Sequence, residues 1–114
     1  MAQKKNANKK TEEKKTNGYE EWTGTYYGLE LNVRMYRPKE NKGIKRTFLY
    51  ITHMGFCIQA SFVETSNNYF ISFPQYKTDD NKYKSYVFIE KESFWAKALD
   101  ELAEEIYKRQ GGDE

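Results

Sequence analysis

The chain has 114 residues, a formal charge of +2 from 19 Lys/Arg against 17 Asp/Glu, and 17 % aromatic residues, with ten tyrosines. That length fits one small domain. No stretch approaches the ~20 apolar residues of a membrane-spanning helix, no apolar run follows the N-terminal lysines as in a secretory signal, and the single cysteine, Cys57, supports neither an internal disulfide nor a zinc site.

The charge is uneven along the chain. Residues 1–18 carry six lysines and two glutamates. They hold too few apolar side chains to offset the entropy of ordering, and they read as a disordered basic arm. Residues 19–110 read as the folded domain and 111–114 as a flexible tail. Tyr26 to Arg37 alternates, with Leu31, Val33 and Met35 on one face and Asn32, Arg34 and Tyr36 on the other, which predicts a half-buried strand. Pro38 ends it, and Pro38 to Gly43 reads as a polar turn. Ile44 to Met54 predicts a second strand, with Leu49 and Ile51 opposite Phe48 and Tyr50. Phe56 to Val63 predicts a third, with Phe56, Ile58, Ala60 and Phe62 facing one way. Tyr69 to Phe73 predicts a fourth and Tyr83 to Ile89 a fifth, with a turn at Asp79, Asp80 and Asn81. Short consecutive strands imply an antiparallel meander.

From Ser93 to Arg109 the period changes. Phe94, Trp95, Ala98, Leu99, Leu102, Ile106 and Tyr107 recur at three- and four-residue spacing, which predicts an amphipathic helix. Ser93 is its expected N-cap and Gly111 its stop. The opposite face carries Lys97, Asp100, Glu101, Glu104 and Glu105. This acidic face should turn away from phosphate, toward solvent or a protein partner. The fold class is therefore α+β: a meander of four to five strands with one C-terminal helix. Its thin core and open sheet edges make a homodimer the expected form.

Nothing in the sequence has the spacing of a catalytic site. There is no phosphate-cradling glycine loop, no G-x-S-x-G and no H-E-x-x-H. The only histidine, His53, lies four residues before Cys57 with no orienting carboxylate. A surface histidine and a buried cysteine fit better than a nucleophile pair. The expectation is a cytoplasmic, non-enzymatic protein without cofactor or metal that acts by binding.

Two turns concentrate positive charge. Arg34, Arg37, Lys39, Lys42, Lys45 and Arg46 surround the first, opposed by Glu40. Lys77, Lys82 and Lys84 mark the second, interleaved with Tyr76, Tyr83 and Tyr86 and opposed by Asp79 and Asp80. Lysine neutralises backbone phosphates and tyrosine stacks on bases, the pairing that single-strand binders use. Tyr36 and Tyr50 add stacking rings. These fourteen residues are the candidate nucleic-acid contacts, with single-stranded DNA the favoured partner.

The segment Tyr69 to Lys84 (YFISFPQYKTDDNKYK) resembles the signature of the stage V sporulation protein G (SpoVG) family of septation regulators. The matching features are Phe70, Pro74, the Lys77-Thr78 pair, the Asp79-Asp80-Asn81 turn and the Tyr83-Lys84 return, within a likeness covering about residues 29–110. The family usually has glycine where Asn81 stands, and its Arg-Asp and His-Pro elements are replaced by residues 85–89. The resemblance implies a divergent relative, from a phage or mobile element, of small dimeric DNA- and RNA-binding proteins. The order of arm, meander and helix is also similar to that of positive-cofactor-four and whirly single-stranded DNA binders. Two other functions fit the sequence: a SpoVG-like regulator of duplex DNA or RNA, and a protein-interaction module, such as an inhibitor of a host enzyme, working through the acidic helix face.

Overall fold

A computed structural model describes residues 14–16 and 18–112. The elements in chain order are β1 (Lys14–Thr16), β2 (Tyr19–Tyr26), β3 (Leu29–Tyr36), β4 (Lys39–Asn41), β5 (Ile44–His53), β6 (Phe56–Glu64), β7 (Tyr69–Ser72), β8 (Gln75–Lys77), β9 (Tyr83–Ser85) and α1 (Phe94–Arg109). The main sheet runs β1-β2-β3-β5-β6-β7, antiparallel throughout. β4 pairs with the start of β5, and β8 and β9 form a separate two-stranded ribbon. The fold is α+β, an antiparallel sheet followed by one helix, as the sequence implies.

Two-residue turns set the register. Tyr27-Gly28, Lys42-Gly43 and Met54-Gly55 all have positive φ at both residues, the backbone of the tight turns that match the right-handed twist of paired strands. Glycine takes that conformation without strain at the second position. The Lys42-Gly43 turn makes a hairpin of β4 and β5, so part of the expected polar turn is strand.

Period two then sorts the side chains. Trp22 and Tyr26 on β2, Leu31, Val33 and Met35 on β3, Leu49 and Ile51 on β5, and Ala60 and Phe62 on β6 are buried in one cluster. Helix α1 covers that face with Ala98, Leu99, Leu102, Ala103 and Ile106. Ser93 Oγ accepts from the Ala96 amide at 3.1 Å, the expected N-cap.

A chain of polar contacts joins the helix to β2. Trp22 Nε1 donates to the Tyr26 hydroxyl at 2.7 Å, which donates to Glu105 Oε1 at 2.5 Å. Arg109 donates to Glu105 and to Glu20 at 2.6 and 2.7 Å, and its guanidinium lies 3.8 Å from the Trp22 ring centroid. Burial, with the carboxylate beside it, pushes the Tyr26 hydroxyl pKa well above its usual value. Gly24 makes room for this arrangement, since a Cβ there would sit 2.7 Å from the Tyr26 hydroxyl.

The structure differs from the sequence reading in further places. Tyr19–Tyr26 is a strand of its own, which the reading lacked before Tyr26. Its inward positions include Gly24, so the apolar alternation is broken. Within the expected arm, Lys14–Thr16 pairs with Tyr19–Glu21, and residues 1–13 and 17 lie outside the described residues. The fifth strand is only Tyr83–Ser85 and pairs with Gln75–Lys77, outside the main sheet. Pro74, which has no N–H to give a ladder, separates β7 from β8. Glu101 and Glu105 are not free on the acidic face: Glu101 accepts the Tyr27 amide at 2.7 Å, and Glu105 belongs to the Tyr26–Arg109 network. Finally, the helix end extends one residue past the expected stop at Gly111, since Gly112 N donates to Tyr107 O at 2.9 Å. Of the expected tail, residues 113 and 114 lie outside the described residues.

Candidate nucleic-acid interface

The face of the sheet away from the helix is set by the same registers. Tyr19 pairs with Tyr36 across β2 and β3, and Arg34 with Tyr50 across β3 and β5. Tyr50 pairs with Gln59, and Phe48 with Ser61, across β5 and β6. The aromatic side chains therefore gather. The rings of Tyr19 and Tyr36 lie 5.2 Å apart, and those of Tyr36 and Tyr50 lie 5.8 Å apart, edge to face. Phe48 on the next position of β5 is 43 % exposed, a large apolar ring left open beside them. A cleft of about 480 Å³ lies over this floor, lined by Gly18, Tyr36, Arg37, Lys39, Phe48, Tyr50 and Gln59.

The electrostatics of the cleft follow from pairing in the β4–β5 hairpin. Lys39 pairs with Arg46, while Glu40 pairs with Lys45. Alternation puts Lys39 and Arg46 on the aromatic face and turns Glu40 and Lys45 to the other. Among the described residues no carboxylate lines the cleft. The nearest acidic position in register is Glu21, opposite Arg34.

Of the fourteen residues singled out from the sequence, Arg34, Tyr36, Arg37, Lys39, Arg46 and Tyr50 fall on or beside this surface. Lys42 sits at the hairpin turn. Lys45 is not brought to it. It lies toward the helix side, 3.7 Å from Glu64, in a depression shared with Arg109 and Gln110. Lys77, Lys82, Lys84, Tyr76, Tyr83 and Tyr86 are exposed on or next to the β8–β9 ribbon. Sequence reasoning missed three members of the cleft region: Tyr19, Phe48 and Gln59. The alternation that places Tyr50 outward also places Phe48 outward, so that signal was present. Tyr19 was hidden with its strand.

Cys57 is exposed, which corrects the expectation of a buried thiol. On β6 it takes the outward parity of Gln59, opposite that of Ala60 and Phe62. His53 lies toward the helix, its ring 5.3 Å from Trp95 and its Nδ1 2.9 Å from Glu30 O. The two side chains occupy opposite faces of the sheet, so they do not form a nucleophile pair. Among the described residues no group of three His, Cys, Asp or Glu could hold a metal ion, and no helix is long and apolar enough to cross a membrane. Chemically, the surface offers flat rings and permanent cations, the groups that stack on bases and neutralise phosphates. The chain significantly matches no family model, no curated protein and no solved structure.

Proposed function

We propose that this protein binds single-stranded nucleic acid, with DNA favoured, on the open face of its sheet. The observation that carries the reading is the cleft in which Tyr36, Phe48 and Tyr50 form an aromatic floor and Arg37 and Lys39 form a basic wall. Bases stack on the rings while the cations follow the backbone. A duplex keeps its bases stacked on one another and offers such a floor little to hold.

Fluorescence anisotropy with a labelled oligothymidylate at low salt tests the proposal. Binding should weaken steeply as salt rises, with a slope of about −0.7 per phosphate neutralised. Single-stranded DNA should displace the probe better than single-stranded RNA, and both better than duplex. Preferential displacement by duplex would favour the SpoVG-like regulator instead, and no binding at low salt would end the proposal.

A homodimer belongs to the same proposal. Met54 is 92 % exposed, Phe56 68 % and Phe94 70 %. They lie at the end of the molecule where the β5–β6 turn meets the start of the helix. This is apolar surface that a second copy would cover.

A further inference from the structure

We infer that the aromatic cleft is the first part of a longer track, and that the β8–β9 ribbon grips the continuation of the same strand. This inference rests on the single-strand reading above. Three depressions follow one another on the open face. The aromatic cleft shares Lys39 with a second depression of about 230 Å³, walled also by Asn41, Ile44 and Arg46. That one shares Arg46 with a third of about 350 Å³. The third passes over Val63 and Phe70, which pair across β6 and β7, and ends against Pro74 and Gln75 at the root of β8. Among the described residues no carboxylate lines any of the three. Arg37, Lys39 and Arg46 thus mark a basic line that leads from the rings to the ribbon.

The ribbon continues the same chemistry. Lys84 pairs with Tyr76 and Lys77 with Tyr83, so each of its faces carries one cation beside one ring. The Tyr86 ring adds to one face, 4.9 Å from Tyr76. Thr78 fixes the tip: its amide donates to Lys82 O at 2.7 Å, and its hydroxyl accepts the Lys82 amide at 3.2 Å. Tyr86 N donates to Pro74 O at 3.0 Å and closes the base. The ribbon is therefore shaped before any ligand arrives, although its strand residues are all exposed and contribute nothing to the core. At roughly one nucleotide per stacking ring, the cleft holds about three nucleotides, and a strand following one face of the ribbon adds about one or two more.

The test compares the full chain with its K77Q/Y83S/K84Q variant, using labelled oligothymidylates of about three, six and twelve nucleotides. Wild-type affinity should rise roughly 10-fold or more from three nucleotides to six, as stacking and phosphate contacts are added. The variant should bind the shortest probe as wild type does and lose that rise. Its salt slope on the longer probes should be smaller by about 0.7, for the phosphate contact of the lysine on the face that the strand follows. Unchanged emission of Trp22 and Trp95 shows that the variant is folded. If the variant matches wild type at every length, the ribbon is not part of the track while the cleft reading stands. If wild type binds none of the probes, the cleft reading fails and the track with it.

Discussion

Lys45 and Arg46 are adjacent in sequence and opposite in role. Arg46 points to the aromatic face, while Lys45 points away and approaches Glu64 at 3.7 Å. Arg46→Ala should lower the salt slope of nucleic-acid binding by about 0.7, one single-strand phosphate contact. Lys45→Ala should leave the slope unchanged, as anisotropy titrations over a salt series would read. Tyr26 belongs to the interior. Tyr26→Phe leaves Trp22 Nε1 without its acceptor and removes a donor from Glu105, which should destabilise the fold by about 1–3 kcal/mol. The pH dependence has a definite sign. The folded hydroxyl holds its proton above the ordinary value of 10.0, where an unfolded tyrosine ionises. Its contribution is fully present below pH ~10 and is lost as pH rises beyond it, because the unfolded state gives up the proton first. Melting temperatures of wild type and Tyr26→Phe should therefore converge above pH ~10, and curves that stay parallel would contradict this.

The strands and the helix show what patterning could reveal. Leu31, Val33 and Met35 alternate cleanly against Arg34 and Tyr36, so β3 was legible together with the face it gives to the site. The helix was legible from its spacing, and Ser93→Ala should cost about 1 kcal/mol of stability, read by chemical denaturation, because the Ala96 amide loses its acceptor. β2 was not legible. Gly24 interrupts its inward set and Glu20 sits on the inward side, held by Arg109 from the far end of the chain. Contacts across 89 residues leave no local signature. The acidic helix face misled for the same reason. Glu101 and Glu105 look like solvated charge in sequence, yet their partners Tyr27, Tyr26 and Arg109 bind them to the fold. The ribbon was half legible: its turn residues were evident, but its departure from the main sheet depends on Pro74 and on which edge is free to pair.

Taken over the full chain, the formal charge of +2 hides a division of labour. Arg37, Lys39 and Arg46 line the open face and Lys77 and Lys84 the ribbon, whose tip also holds Asp80 against Lys82. Acidic helix residues lie on the other side of the sheet, where they are held by contacts to β2 and the turn after it or face solvent. Such an arrangement should draw a polyanion to one side and present the other to water. The apolar end around Met54 and Phe94 is separate from this basic surface. Analytical ultracentrifugation should show a dimer that Met54→Glu with Phe56→Glu converts to monomer, while a wild-type monomer at all concentrations would contradict pairing there. The most direct measurement is an anisotropy titration of a labelled oligothymidylate at low salt, with wild type and a Tyr36→Ala/Tyr50→Ala double variant. Wild type should bind, and the variant should bind more weakly by about 1–3 kcal/mol per lost stacking ring, roughly 30-fold or more in total. Equal affinity of the two proteins, or no binding by either, would contradict strand binding on this face.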